Sequence, residues 1–144
     1  MVVVLVLAFL AQTADADAAK VVERINVHRK AAGLEPVAID PAMSKACAAH
    51  AAYLVTNVDH PSTQGLGLHA EDPKLPGYSK EGERAGKASV IFLGLEGEPA
   101  VDGWMGSLFH RIPLLQSRLR KIGYGVARGG PATVTVVRSS ANTH

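Results

Sequence analysis

The dipeptide Asp40-Pro41 fixes where one helix of this chain begins. An aspartate side chain can accept from the free N–H groups of a first turn. Proline suits the first helical position because its missing donor would have no partner there. Beyond it Met43, Cys47, His50 and Leu54 fall at i, i+4, i+7 and i+11, a single stripe on one face. A helix with one apolar stripe must lie on something, and the candidates come later in the chain. Ala88-Ser-Val-Ile-Phe-Leu93 is β-branched and aromatic. Ile122-Gly-Tyr-Gly-Val126 alternates large with small, Thr133 to Arg138 is β-rich, and Arg128-Gly-Gly-Pro131 supplies a hairpin turn between them. Helices early and strands late predict an α+β chain with a largely antiparallel sheet and helices packed on it.

The remaining segments fill in around that frame. From Ala19 to Ala32 the pattern is helical, with Val21, Ile25, His28 and Ala32 on one face and Gly33 placed to end it. Pro36 to Ile39 reads as a short connector. Asn57 to Ser79 reads as a long loop with three prolines, three glycines and two histidines, a length that inside a compact domain signals function or disorder. Glu81 to Lys87 is charged, and Gly94 to Pro99 is a turn. A helix is expected from about Pro99 to Leu108, followed by an irregular pass through His110 and Pro113, because proline cannot continue a regular helix.

At 144 residues the chain is one domain, long enough to fold without disulfides or metal. A net charge of +2 is too small for a nucleic-acid partner, and the basic run Arg118, Arg120 and Lys121 lacks interleaved aromatics, so it reads as a solvated face. Val2 to Ala11 are consecutively apolar, too short to span a bilayer but suited to a signal-peptide core. Ala14-Asp15-Ala16 fits a small-x-small cleavage site, although no Lys or Arg precedes the apolar run. The division expected is a signal peptide over 1–16 and the domain over 17–144. Cys47, the single cysteine, sits in an Ala-rich helical pattern and reads as a small buried thiol.

Chemistry-bearing residues concentrate in two places. Around the lone tryptophan, Trp104, Ser107 and His110 recur every third residue with Arg111 following, which can set polar groups at the rim of an aromatic-floored pocket or can end a core helix with a solvated histidine. His50 faces inward, either holding a core acceptor or lining a pocket. The long loop carries His60, His69, Glu71 and Asp72; His69-Ala-Glu71 would suit a metal or a hydrogen-bonding site, with His60 a weaker candidate, although loop polar groups can also simply be solvated. The common constellations fail: no His-Glu-x-x-His, no Cys-x-x-Cys and no Gly-x-Ser-x-Gly elbow. A triad of Asp102, Ser107 and His110 can be written down, but closeness in sequence is not triad geometry. His69 and His110 could share a divalent metal such as zinc if further ligands join them. With Ser107 they could equally form a polar cleft without metal.

Together these pieces resemble the CAP superfamily of cysteine-rich secretory, antigen and pathogenesis-related proteins, closest to its bacterial members. The resemblance rests on Asn26-x-x-Arg29, Ala46-x-x-x-His50-Ala51, the loop histidine before Pro-Gly-Tyr78, Ala100-Val-Asp-Gly-Trp104-x-x-Ser107-x-x-His110-Arg111 and Ile122-Gly-Tyr-Gly-Val126. It implies a three-layer α-β-α sandwich with a small central sheet, and a cleft in which two histidines and two acidic residues can bind a divalent metal. Carried over, His69 and His110 are those histidines. The acidic positions fall on Lys87, within Gly86-Lys87-Ala88, and on Ser107; Glu71 or Glu83 could replace a missing acid. A lysine ammonium beside two imidazoles repels a dication and favours an anionic or hydrogen-bonding ligand.

The expectation is therefore an exported, non-enzymatic CAP domain, secreted or in the periplasm or cell envelope. It would be a monomer with no integral membrane domain after signal cleavage. Its cleft of His50, His69, Glu71, Ser107, His110 and Arg111 over Trp104 would bind a small polar or amphipathic ligand. The alternative is a metal-assisted hydrolase using His69 and His110.

Overall fold

A computed structural model describes residues 2–129 and 132–141. In chain order the elements are α1 (Val2–Ala31), β1 (Ala38–Ile39), α2 (Pro41–Thr56), α3 (Lys80–Lys87), β2 (Ser89–Leu93), α4 (Gly97–Met105), α5 (Leu108–Leu114), β3 (Leu119–Gly129) and β4 (Ala132–Ala141). The four strands form one sheet in the order β1-β3-β4-β2. Pairing of β2 with β4 and of β3 with β4 is antiparallel; only the two-residue β1 runs parallel, against Lys121 and Ile122.

The alternation in Ile122-Gly-Tyr-Gly-Val126 sets the layers. A side chain at Gly123 would collide with Met43, and one at Gly125 with the Cys47–Ala48 backbone. The glycines thus let α2 lie directly on the strand. The large residues Ile122 and Tyr124 point the other way, into a core with Val21 and Ile25 of α1, Val101 and Trp104 of α4, and Leu114 of α5. Val90 joins that core, while its neighbour Ile91 joins Cys47, Ala51, Tyr53, Leu54 and Ala85 on the α2–α3 side. Alternate faces of one sheet therefore carry two helical layers, an α-β-α sandwich with a mainly antiparallel sheet.

Local chemistry sets the helix ends. Asp40 accepts from the Met43 N–H at 3.0 Å and caps α2 behind Pro41. Gly33 takes φ +71° just past α1, and Leu34 N–H reaches back to the Arg29 carbonyl, a Schellman closure.

Several expectations need correction. The first helix starts well before Ala19, running continuously from Val2. His28 is half-buried and bonded to Asp102, in keeping with its place near the helix end, and among the described residues the buried polar side chain of this helix is Arg29, 0% exposed. Part of the connector Pro36–Ile39 is strand β1. The long loop contains two short 3₁₀ turns, Pro61–Thr63 and Gly65–His69. Residues 80–87 are helical, capped by Ser79, whose side chain accepts from Gly82 N–H. The tryptophan region is two helices rather than one helix and an irregular pass, and Pro113 sits inside the second. In a helix of seven residues, proline near the end forfeits one bond without breaking a long ladder. Gly130 and Pro131 of the expected hairpin turn lie outside the described residues, but Gly129 pairs with Ala132 across it.

Arg29 ties the second layer together. Its guanidinium donates to the carbonyls of Glu35 (2.8 Å), Leu114 (2.7 Å), Gln116 (3.1 Å) and Leu119 (3.3 Å). Asn26, three residues earlier, pairs its amide with both backbone groups of Val37 at 2.8 and 2.9 Å, so a side chain acts as a strand partner beside β1.

Candidate functional site

The seven residues singled out from the sequence separate into a sealed set and an accessible set. His50, Glu71 and Trp104 are sealed, at 0%, 5% and 1% exposure. The imidazole of His50 stands against Gly86, where a Cβ would strike the ring, and stacks near Tyr53 with ring centroids 6.2 Å apart. Its Nε2 donates to the Leu68 carbonyl at 2.8 Å, and its Nδ1 lies 2.8 Å from Glu71 Oε1. A carbonyl cannot donate, so Nε2 carries a proton; the second proton of the pair lies between Nδ1 and Oε1, and the pair is neutral overall. Glu71 Oε2 accepts from Ser79 N–H at 2.9 Å. The carboxylate thus joins α2, the long loop and the start of α3, and its lone pairs are not free for a ligand.

Trp104 fills the core beside Phe92, with ring centroids 6.2 Å apart at 60°. Its Nε1–H is buried without a partner among the described residues. Cys47 is buried as expected, and burial pushes its thiol up to about 11, only partly offset by the backbone and charge of Arg138.

The accessible set is His69, Ser107, His110 and Arg111. His69 Nδ1 donates to the Gly86 carbonyl at 2.9 Å, which fixes the tautomer and leaves the Nε2 lone pair free. His110 Nδ1 lies 2.8 Å from Ser107 Oγ. Arg111 is exposed, without a side-chain partner among the described residues. His69 belongs with the α2–α3 layer through Gly86, whereas His110 follows α4 in the opposite layer; no hydrogen bond joins them.

The neighbouring charges are already committed. Lys87 Nζ pairs with Glu83 Oε1 at 2.6 Å, and Tyr78 donates its hydroxyl to Glu83 Oε2 at 3.2 Å. The Lys87 hydrogen bond holds the Glu83 carboxyl below its ordinary range despite some desolvation. The ammonium expected to repel a dication is therefore compensated by a carboxylate, and that carboxylate is not free for metal. Among the described residues no group of three His, Cys, Asp or Glu side chains is placed to hold a metal ion. With Glu71 and Glu83 both engaged, the two imidazoles find no third side-chain ligand among the described residues, short of the four that zinc normally takes.

The written-down triad does not assemble. Asp102 binds Arg24 in a bidentate pair at 2.7 and 3.0 Å and His28 at 3.2 Å, clamping α4 to α1. His60 Nδ1 accepts from Ser62 N–H and caps a 3₁₀ turn.

Sequence reasoning missed the recess with room for a ligand. A groove of about 860 Å³ opens between α1 and the first turns of α2, walled by Ala18, Ala19, Val22, Ile39, Ala48 and Tyr124 among others. Glu23 and Lys45 line it as well, and neither has a partner among the described residues. The available signal was size: small side chains such as Ala18, Ala19 and Ala48 leave room at the sheet edge where the short β1 runs. A smaller recess of about 200 Å³ lies beside Asp17, Lys20, Glu96 and Glu98.

Comparison with known proteins gives these shapes a context. The profile of the cysteine-rich secretory protein family, CAP, matches residues 22–138. No curated protein matches the chain. Among solved structures, an outer surface protein of Borrelia burgdorferi superposes with a TM-score of 0.64 at 19% identity, over 88% of this chain and 94% of that one. An extracellular protein of Bacillus anthracis containing an SCP domain superposes with a TM-score of 0.55 at 18% identity, over 88% and 41%. A cysteine-rich secretory protein of Staphylococcus aureus gives 0.53 at 15% identity, over 88% and 39%. The chain therefore spans about two-fifths of the latter two. At these identities the likeness shows the fold. Among the described residues no helix is long and apolar enough to cross a membrane.

Proposed function

The chain belongs to the CAP family of cysteine-rich secretory proteins, and from that premise we propose that it is an exported module that binds a small amphipathic ligand and performs no chemistry on it. The observation that carries this reading is the groove between α1 and α2. Its volume of about 860 Å³ falls in the range of small-molecule sites, which are mostly apolar with a few polar groups. Glu23 and Lys45 supply those polar groups. Export is supported by the apolar run of residues 2–11 and by neighbours that are outer-surface or extracellular bacterial proteins. Residues 1–16 are removed on this reading, and the mass of the protein recovered outside the cytoplasm tests that.

The groove is tested by titrating the protein with anilinonaphthalene sulfonate, an amphipathic fluorescent anion, beside an Ala48→Trp variant. Ala48 is exposed in the groove wall, so the indole fills the recess without entering the core. Saturable binding that the variant loses at an unchanged melting temperature supports the reading. Equal binding by both proteins, or none by either, removes it.

A second reading makes the chain a metal-assisted hydrolase using His69 and His110. One observation favours it: the free Nε2 of His69, oriented through its other nitrogen as metal-binding imidazoles are. The donor set does not fit zinc, so no step is derived through a metal. The metal content of the purified protein and of His110→Ala decides between the readings: stoichiometric zinc lost on substitution favours the hydrolase.

A further inference from the structure

Helix α5 turns its apolar side chains outward. Leu108, Phe109 and Ile112 are 55%, 82% and 51% exposed, whereas Leu114 is fully buried and His110 half-buried. At about 100° per residue, Leu114 and His110 mark the inward side, and Ile112 points directly away with Leu108 and Phe109 flanking it. A phenylalanine this exposed has no role in the cores of the sandwich, and three such residues on one short helix form a contiguous apolar tip.

Beside that tip the charges are mostly positive. Arg111 lies on the same helix. Because the single guanidinium of Arg29 holds the carbonyls of Leu114, Gln116 and Leu119 together, Arg118 and Arg120 are brought to the same end of the molecule. Arg111 and Arg118 have no partner among the described residues, and Arg120 donates only to the carbonyls of Ser117 and Leu119. The carboxylate tied to the same place is Glu35, whose carbonyl also accepts from Arg29.

We propose that the α5 end of the protein docks on an anionic lipid bilayer, with Leu108, Phe109 and Ile112 entering the interface and Arg111, Arg118 and Arg120 contacting phosphate headgroups. An apolar ridge flanked by guanidinium groups matches the layering of a bilayer surface, apolar beneath and anionic above. A second copy fits this face less well, because a two-fold contact would oppose Arg111 to its own equivalent. The inference is independent of the α1–α2 groove.

The test is co-sedimentation of the full chain with vesicles of equal parts phosphatidylglycerol and phosphatidylcholine, beside vesicles of phosphatidylcholine alone. Two double variants are compared, Phe109→Ser with Ile112→Ser, and Arg118→Glu with Arg120→Glu. All four side chains are exposed, so the melting temperature should not change. The expected result is binding to the anionic vesicles that weakens about tenfold or more in each variant, in raised salt and on phosphatidylcholine alone. Absence of binding, or equal binding to both vesicle types, overturns the proposal. Binding that both variants retain belongs to the apolar run of residues 2–11 and overturns it too. So does a dimer, seen by light scattering, that the Phe109 variant dissolves.

Discussion

His50 Nδ1 and Glu71 Oε1 lie 2.8 Å apart with neither side chain accessible to water. The pair connects the middle of α2 to the long loop, and through Ser79 to α3. Removing one partner of such a pair leaves the other buried with an unmet hydrogen-bonding group. Glu71→Ala should cost on the order of 3–5 kcal/mol. Glu71→Gln keeps an acceptor for Ser79 N–H and should cost less than half as much. Urea denaturation at neutral pH measures both, and equal losses would contradict this account.

Arg29 offers a second comparison. Four backbone carbonyls depend on one planar guanidinium. Arg29→Met preserves bulk but orphans those acceptors, with an expected loss on the order of 3–5 kcal/mol. Arg29→Lys should recover only part of it, since an ammonium cannot span acceptors arranged for a fork. Denaturation midpoints of the two variants check the order.

These two buried polar anchors show how far the sequence could be read. Periodicity revealed the α2 stripe because apolar burial leaves a spacing, and Asp40-Pro41 revealed its start because capping is local. The alternation around Tyr124 revealed strand β3, although pattern alone did not say that the glycines face α2. Spacing alone allows His50 two roles, because its partners lie 18 and 21 residues away at Leu68 and Glu71. Spacing placed His28 on the apolar face of α1 and overlooked Arg29, since four distant carbonyls leave no trace in a helical pattern. Likewise, nothing in the order of residues shows that Asp102 turns to Arg24 and His28 instead of His110. The groove escaped notice because a void is made by what facing residues lack.

Close approach of α2 to β3 predicts a contrast among glycines. Gly125→Ala drives a methyl group into the Cys47–Ala48 backbone, which cannot turn aside. Overpacking of this kind should cost about 1–3 kcal/mol. Gly129→Ala meets only the Val55 side chain and should be milder. Thermal unfolding of the two variants separates them.

Cys47 predicts an alkaline effect. The folded protein keeps this thiol protonated to about 11, against an ordinary value of 9.0. Between those values the folded state binds more protons than the unfolded state, so stability falls as pH rises. The contribution is intact below the lower value and lost through the upper one, a change on the order of 2–3 kcal/mol. Urea midpoints measured on the native protein and on Cys47→Ala should converge or cross across that range. The folded thiol should also resist a disulfide reagent that labels it in denaturant.

Asp102 predicts an acid effect of the opposite sense. Its hydrogen bond to Arg24, aided by His28, holds its carboxyl below the usual range. The resulting stabilisation is present above the ordinary carboxylate pKa and disappears as pH falls through the depressed one. Because the pair is half-exposed, Asp102→Asn should lose under about 1 kcal/mol at neutral pH. That difference should vanish in strong acid, as parallel melts of the two proteins would show.

The segment from Asn57 to Ser79 is moored from inside. Leu68, Glu71, Asp72, Pro76 and Ser79 are each held through a polar group by His50, Tyr53, Asn57 or one another. Its outward residues, such as Leu66 at 90% exposure, carry none of those moorings. Evolution can therefore rewrite the visible side of this segment while its path stays fixed, giving the protein a display surface whose lettering changes without moving the board.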